Sequence, residues 1–216
     1  MSAGAWRSPK SYQQGMTFDS DLQGERQHLA TAGIQRALID RKYLSANPLT
    51  LDGVIGVKTT ASIKLFQTEA GLVSDGQFGP KSARRLFLPY YVWWQTQCKI
   101  PDMLLYGQGG LESGFDPGAE GDNPHGYEWF DRGIHQFNRH WRPEVTDAMA
   151  YGDPIGCIGR AAADLRTNYD SLGAWQYAVA AHNSPDGARK WSTGGTPSDQ
   201  LKEYVALVYA AARVAP

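Results

Sequence analysis

Apolar residues in the first half of the chain recur at helical spacing in three short stretches. In the middle stretch, Ile63, Phe66 and Ala70 fall on one face of a helix. Gly71 follows directly and favours a helix end there. The flanking stretches have similar spacing, one at Ile34, Leu38 and Tyr43 and the other at Ala83, Leu86 and Phe87. The pattern predicts three short helices joined by polar connections.

The second half of the chain, after Pro89, also carries helical periodicity. An aromatic segment opens it, and Pro101 suits the start of a helix. Apolar faces then follow at Leu104 and Leu111, at Ile155, Ile158, Ala162, Leu165 and Tyr169, and at Leu201, Val205, Val208 and Ala212. The last of these faces predicts a helix from Ser198 to about Arg213. These patterns together predict a mainly α protein.

An eight-residue segment occurs twice between the predicted helices. Residues 52–59 read Asp-Gly-Val-Ile-Gly-Val-Lys-Thr, and residues 75–82 read Asp-Gly-Gln-Phe-Gly-Pro-Lys-Ser. The Asp-Gly pair predicts a tight turn, and the second glycine of each copy offers a position that tolerates positive φ. Thr59 and Ser82 can cap the helix that follows, and Pro80 suits its first turn. Each copy therefore predicts a turn followed by a helix start.

The duplicated segment and its flanking helices resemble the small peptidoglycan-binding domain. The resemblance is carried by Ile34-Gln35, Asp52 to Gly56, Phe66-Gln67, Gly71-Leu72 and Asp75 to Gly79. It implies a three-helix, non-catalytic wall-binding module at residues 26–88. Individually, Asp52 and Asp75 are expected to shape the two turns rather than to bind. Residues 1–25 are polar and predict a weakly ordered N-terminal arm.

Charge is unevenly distributed, although the net charge is only −1. Residues 1–88 carry 11 Lys and Arg against 7 Asp and Glu, or +4, and residues 89–216 carry 10 against 15, or −5. The basic half favours binding to an anionic wall polymer, but a charge of +4 attracts such a polymer only weakly. The chain has no run of Lys and Arg of the kind that is typical of nucleic-acid binding. Nor does any apolar run reach the length of a membrane helix.

The chain has two cysteines, Cys98 and Cys157. They are compatible with either one disulfide or two buried thiols, and we favour the thiols. Because no CxxC pair occurs, a cysteine-based zinc site is not expected.

Glu112 draws attention because the pattern places it in the last turn of a predicted helix, just before Gly114. The carbonyl end of a helix is partly negative and disfavours an ionised carboxylate. Apolar neighbours add a desolvation cost in the same direction. Both effects predict a glutamic acid that stays protonated near neutral pH, which is the proton donor that glycosidic cleavage needs. A solvated glutamate at a frayed helix end is the alternative.

Three motifs in this half resemble the lysozyme-like lytic transglycosylases and goose-type lysozymes. That superfamily carries E-S-x-F, G-L-M-Q and A-Y-N-x-G in this order. Here the corresponding segments are residues 112–115 (Glu-Ser-Gly-Phe), 133–136 (Gly-Ile-His-Gln) and 180–185 (Ala-Ala-His-Asn-Ser-Pro). The resemblance covers about 75 residues and implies a lysozyme-like helical catalytic domain at residues 89–216.

The resemblance also implies a role for each matched residue. Glu112 becomes the catalytic acid and base, and Ser113 hydrogen-bonds to it and orients it. Gln136 touches the sugar near the cleavage point, and Asn183 binds an N-acetyl or hydroxyl group.

The chain departs from the family pattern at three motif positions. His135 replaces a methionine, His182 replaces a tyrosine, and Pro185 replaces a glycine. The tyrosine matters most, because its hydroxyl often lies against the catalytic site in the family. A neutral imidazole is also a donor, so His182 can substitute for it, with altered activity as the other consequence.

The residues leave the reaction type open. Hydrolysis usually needs a second carboxylate, for which the resemblance offers Asp122 and Asp131, although Asn138 stands where goose-type lysozymes often have an aspartate. Lytic transglycosylases need only one carboxyl group, because the sugar's own 6-hydroxyl attacks and leaves a 1,6-anhydro end. We expect the MurNAc–GlcNAc bond to be cleaved by one of these routes, without a cofactor.

Three alternatives stand beside this interpretation. His125, His135 and His140 lie in one loop near Asp122 and Asp131, which is the composition of a metal hydrolase, although no HExxH spacing occurs. An inactive lysozyme-like domain in a wall-binding structural protein of a phage particle would explain the changed motif residues. A chitin-cleaving enzyme would use a similar sugar, but the wall-binding module argues against it.

The combination resembles a bacteriophage endolysin, an antimicrobial muramidase that causes host lysis. The N-terminus lacks the apolar segment of a secretory signal. We therefore expect synthesis in the host cytoplasm and action at the bacterial cell wall. The alternative is an enzyme that is carried on the phage particle. The expected partner is peptidoglycan, bound by a monomer, and neither nucleic acid nor a membrane is expected as a partner.

Overall fold

A computed structural model describes residues 22–46, 50–121 and 129–213. Within these residues the protein is mostly helical, as predicted. The helices are α1 (Leu22–Asp40), α2 (Val57–Glu69), α3 (Pro80–Gln97), α4 (Leu104–Ser113), α5 (Asp147–Gly152), α6 (Pro154–Leu172), α7 (Trp175–Asn183), α8 (Pro185–Ser192) and α9 (Asp199–Arg213). Three two-residue strands, β1 (Glu120–Gly121), β2 (Asp131–Arg132) and β3 (Phe137–Asn138), form an antiparallel sheet in that order, which the sequence analysis did not predict.

The described residues form two compact units. The first unit contains residues 22–46, 50–87, 113–121 and 129–157, and the second contains residues 88–112 and 158–213. One division falls between Phe87 and Leu88, beside the predicted boundary at residue 88, but residues 113–157 group with the first helices. The predicted domains, 26–88 and 89–216, were drawn from family resemblance, whereas the two units reflect which residues pack together in space. The predicted domain bounds therefore stay a prediction.

The first Asp-Gly loop is tied to its flanking helices by one fully buried glutamine. The Gln35 amide nitrogen donates to Asp52 Oδ1 at 2.8 Å, to the Val54 carbonyl at 2.9 Å and to Thr59 Oγ1 at 3.1 Å. The Gly53 backbone N–H donates back to Gln35 Oε1 at 3.0 Å. Since a buried amide costs free energy unless its donors and acceptor are paired, this network fixes the loop.

The second loop repeats the arrangement with Gln67 in the place of Gln35. The Gln67 amide nitrogen donates to Asp75 Oδ1 at 2.9 Å, to the Gln77 carbonyl at 2.9 Å and to Ser82 Oγ at 3.2 Å. The Gly76 N–H donates back to Gln67 Oε1 at 2.8 Å. The sequence repeat is therefore also a repeat of structure, and each aspartate has the turn-shaping role expected of it.

Two details of the predicted loops are wrong. Positive φ falls on the first glycine of each copy, Gly53 at 67° and Gly76 at 78°, because that residue turns its N–H toward the glutamine. Thr59 does not cap α2, whose N-cap is Gly56. Thr59 and Ser82 instead lie in the first turn of their helices, as buried partners of the two glutamines.

Helix α1 packs on the later segments of the first unit. It begins at Leu22, inside the predicted arm, and residues 1–21 lie outside the described residues. A Cβ placed on Gly33 would lie 2.6 Å from Pro154 Cδ, so only glycine allows this approach. Arg26 forms an ion pair with Glu120, whose other carboxylate oxygen accepts from the Tyr151 hydroxyl at 2.8 Å. These contacts join α1 to the start of the sheet and to α5.

The second unit has its core between α4, α6, α7 and α9. Leu104, Ile158, Leu165, Val179, Leu201, Val205 and Val208 are among its buried residues. Most positions predicted to face inward are therefore buried, although Leu111, Tyr169 and Ala212 remain half-exposed, as does Ile155 in the first unit.

Cys98 and Cys157 are thiols rather than a disulfide, as favoured, but only Cys157 is buried, whereas Cys98 is half-exposed. In the described part of the chain, no helix is long and apolar enough to cross a membrane.

Candidate functional site

Helix α4, which carries Glu112, is fixed at its first turn by a side chain from α3. The buried Gln95 accepts hydrogen bonds through Oε1 from the Leu105 N–H at 3.0 Å and from the Tyr106 N–H at 3.3 Å. The first amides of a helix have no partner within the helix, so this glutamine satisfies two groups that burial would otherwise penalise.

A glycine lets α4 lie directly against α9. A Cβ placed on Gly107 would lie 2.6 Å from the Val208 carbonyl oxygen and 2.7 Å from the Ala212 nitrogen. Any side chain here would collide with backbone, which cannot swing away as a flexible side chain can. The close approach brings the inward face of α9 next to the last turns of α4.

Three helices converge on the Glu112 carboxyl group. From α9, the Tyr204 hydroxyl donates a hydrogen bond to Glu112 Oε1. From α7, His182 Nε2 lies 3.4 Å from the same oxygen. The side chains of Glu112 and His182 are only 10% and 17% exposed, so water screens this cluster weakly.

The hydrogen bonds continue behind the tyrosine. Tyr204 is buried, and its hydroxyl accepts from the Gln108 amide nitrogen at 3.3 Å. Burial and the neighbouring Glu112 carboxyl group raise the pKa of Tyr204 well above its usual range. The phenol therefore stays protonated and is available as a hydrogen-bond donor to Glu112. A largely buried carboxyl group with a fixed donor and an imidazole beside it can accept and release a proton on a bound substrate.

Ser113, the next residue along the chain, links two of the sequence motifs. Its side chain is buried in the first unit, and its hydroxyl donates to the Ile134 carbonyl oxygen at 2.8 Å. This bond connects the Glu-Ser-Gly-Phe segment to the Gly-Ile-His-Gln segment. The predicted role of Ser113 in orienting Glu112 stays a prediction.

Gln136 and Asp131 lie together at the short sheet of the first unit. A Cβ placed on Gly121 would lie 3.0 Å from Gln136 Oε1 and 3.3 Å from Asp131 Oδ2. Gln136 adopts a left-handed backbone with φ of 50°, and its amide donates to the Gly133 carbonyl at 2.9 Å. Such a conformation is strained for a residue with a side chain and often marks a functional position. Asn138 donates to Asp131 Oδ1 at 2.8 Å.

The third motif ends at a helix boundary. Asn183 is the exposed last residue of α7, and Pro185 opens α8 after the N-cap Ser184. Proline fits there because the first residue of a helix needs no N–H donor and has a φ near that of the proline ring. Pro185 at this position is therefore compatible with both helices.

The residues of the metal alternative are only partly described. Asp122 and His125 lie outside the described residues, whereas His135 is buried and His140 stacks on Trp129 with ring centroids 3.7 Å apart. Among the described residues, no three His, Cys, Asp or Glu side chains are grouped to hold a metal ion.

Tyr204 and Gln108 were not predicted as members of the Glu112 cluster. A signal was present, because Tyr204 stands between Leu201 and Val205 on the face of the last helix that was predicted to be inward. A buried phenol needs a hydrogen-bond partner, so a tyrosine on such a face marks a polar contact inside the core. The helical pattern does not tell which partner it meets.

Comparison with known proteins identifies the first module. Residues 29–86 match the family described as "Putative peptidoglycan binding domain", within the predicted bounds of 26–88. The chain therefore carries a peptidoglycan-binding domain, which associates it with the bacterial cell wall. Neither the search of curated proteins nor the search of solved structures found a match. The lysozyme-like resemblance of residues 89–216 stays a prediction.

Proposed function

We propose that this protein cleaves the glycan strands of peptidoglycan at the MurNAc–GlcNAc bond, with Glu112 as its acid and base. The observation that carries the proposal is the Glu112 cluster, in which Tyr204 donates to a largely buried carboxyl group and His182 lies beside it. The peptidoglycan-binding domain at residues 29–86 supports this choice of substrate, because a domain of that family would hold the chain on the same polymer.

In the proposed reaction, protonated Glu112 gives its proton to the glycosidic oxygen as the bond from that oxygen to the anomeric carbon breaks. The Tyr204 hydrogen bond then stabilises the carboxylate that remains. In the second half of the reaction, Glu112 takes a proton from the group that attacks the anomeric carbon. That group is water in hydrolysis or the sugar's 6-hydroxyl in transglycosylation, so the acid is regenerated in both routes.

In this proposal the second hydrogen-bond donor beside Glu112 is the imidazole of His182. The lysozyme-like family that the chain resembles has a tyrosine at this position. The imidazole is 3.4 Å from Glu112 Oε1, so a small movement brings it into hydrogen-bond range of the carboxylate or of a substrate oxygen. In this proposal Gln136 and Asn183 bind the sugar, and Asp131 supports an attacking water if the reaction is hydrolysis. The wider biological role that we propose is that of an endolysin-like or virion-borne enzyme of a bacteriophage.

A second candidate function is a wall-binding protein without cleavage activity. It is favoured by the family match, which covers the binding domain alone, and by the changed motif residues His182 and Pro185. Such a protein would sediment with purified walls and release nothing from them.

Mass spectrometry of the fragments released from purified peptidoglycan tests the proposal. Muropeptides with reducing muramic ends would indicate hydrolysis, and those with 1,6-anhydro ends would indicate transglycosylation. Either product supports glycan cleavage. Fragments with intact glycan and newly freed amino groups would refute it, and the absence of any fragment would support the second candidate.

A further inference from the structure

An aromatic cluster at the end of the short sheet has no part in the proposed chemistry. It consists of Trp129, His140 and Trp141, which we call the aromatic platform. Trp129 stacks on His140 with a centroid distance of 3.7 Å and an interplanar angle of 19°. Trp141 stands nearly perpendicular to both rings, at 80° to Trp129 and 83° to His140, and is 70% exposed. The Trp141 ring therefore faces outward.

The backbone under the platform is held by one side chain. Asn138 donates through Nδ2 to the Trp129 carbonyl at 2.7 Å, and its Oδ1 accepts from the N–H groups of His140 and Trp141, both at 3.1 Å. One amide thus fixes both ends of the turn that displays the rings. A rigid, preformed surface loses less conformational entropy when it binds a ligand than a mobile loop does.

Among the described residues, the charges next to the platform lie in ion pairs. Arg139 pairs with Asp147 at 2.7 Å, which Arg132 also contacts at 2.6 Å, and Arg142 pairs with Glu144 at 2.8 Å. With Asp131, these three arginines are matched by three carboxyl groups. Paired charges leave little net field to attract a polyanion such as nucleic acid or an acidic lipid surface. The surface instead offers flat rings together with neutral and hydrogen-bonding groups.

We infer that the aromatic platform is a glycan-binding subsite that stacks a pyranose ring of the wall polymer on Trp141. A pyranose presents an apolar face of C–H bonds and a rim of hydroxyl groups, which fits an exposed indole bordered by polar side chains. Asp131 supplies such a border, because it is hydrogen-bonded to the same Asn138 at 2.8 Å and lies beside Gln136. The peptidoglycan-binding helices α1 and α2 belong to the same compact unit, so one unit would carry both contacts to the polymer.

This inference rests on the proposed function, since both take the wall glycan as the ligand. It is tested by the affinity of the full chain for peptide-free peptidoglycan glycan strands, measured by isothermal titration. All proteins carry Glu112→Gln, which prevents turnover during the measurement. The variants added to this parent are Trp141→Ala, Trp141→Phe and, as a matched control, Trp93→Ala. Trp93 is an exposed tryptophan of α3 outside the platform, at 53% exposure.

The expected result is that Trp141→Ala weakens binding roughly tenfold, because the apolar contact area is lost. Trp141→Phe should stay within about twofold of the parent, since a flat ring remains, and Trp93→Ala should have no effect. Equal affinities for the parent and Trp141→Ala, or no binding by the parent, would overturn the inference. If wild type cleaves walls while Trp141→Ala binds normally, only the platform is wrong. If Trp141→Ala binds weakly while wild type never cleaves, only the proposed function is wrong.

Discussion

Tyr204→Phe isolates the hydrogen bond on which the Glu112 cluster depends. The substitution removes one oxygen and keeps the buried ring, so packing in α9 is preserved. The lost bond is one to a carboxyl group, and hydrogen bonds of this type contribute about 1.5–3 kcal/mol. In the proposed reaction the bond strengthens as Glu112 becomes a carboxylate, so its loss should lower kcat roughly 10- to 100-fold.

The same variant should show two further effects. The Gln108 amide loses its acceptor inside the core, which should destabilise the protein by about 1–3 kcal/mol. Because a donor that favours the carboxylate is gone, the alkaline limb of the pH–rate profile should move upward.

The assay is the initial rate of muropeptide release at saturating peptidoglycan over a range of pH, together with thermal unfolding. Tyr209→Phe serves as the control, since Tyr209 is a half-buried tyrosine of the same helix, five residues further along. A Tyr204→Phe enzyme that keeps wild-type kcat and pH profile would refute the role assigned to this hydrogen bond.

The remaining predictions concern stability. Gln67→Leu should destabilise the protein by roughly 2–4 kcal/mol in urea unfolding, because it leaves several buried groups of the second loop without their hydrogen bonds. Gln77→Ala is the control and should cost little, since Gln77 accepts its hydrogen bond through the backbone carbonyl. Gly107→Ala should lower Tm by roughly 4–8 °C, since its methyl group meets the α9 backbone; an unchanged Tm would contradict the close approach. Although burial acts in the opposite direction, hydrogen bonds from Arg132 and Arg139 hold the pKa of Asp147 below its usual value. A lowered folded pKa stabilises above the unfolded pKa, so Tm should fall as pH drops below about 4, and less steeply in Asp147→Asn.

Helix positions were predictable because apolar periodicity reports the buried face of a helix directly. The pattern at Ile63 and Phe66 predicted α2, and the one at Leu201, Val205 and Val208 predicted α9, with bounds within a few residues of those observed. The repeated Asp-Gly segment predicted a duplicated turn. These signals are local, since each depends on residues within a few turns of one another.

Contacts between distant segments were not predictable in the same way. Nothing near Gln35 indicates that its amide reaches a loop 17 residues later, and nothing near Tyr204 names Glu112, 92 residues earlier, as its partner. The three strands were missed because two-residue segments are too short to show alternation. Tertiary packing decides these features. A single sequence shows that a buried polar group, such as a phenol, needs a hydrogen-bond partner, but it does not show which residue that partner is.

The catalytic role of Glu112 is the central claim, and one paired measurement tests it most directly. Purified peptidoglycan is incubated with wild type, Glu112→Gln or Glu203→Gln, and wall binding by sedimentation and release of soluble muropeptides are recorded on the same samples. Glu203 is an exposed glutamate of the same chain that directly precedes Tyr204, so its substitution controls for the change from carboxylate to amide. We expect equal sedimentation for all three proteins and a loss of release by about a hundredfold or more in Glu112→Gln alone. Release by Glu112→Gln at the wild-type rate would contradict the catalytic role of Glu112.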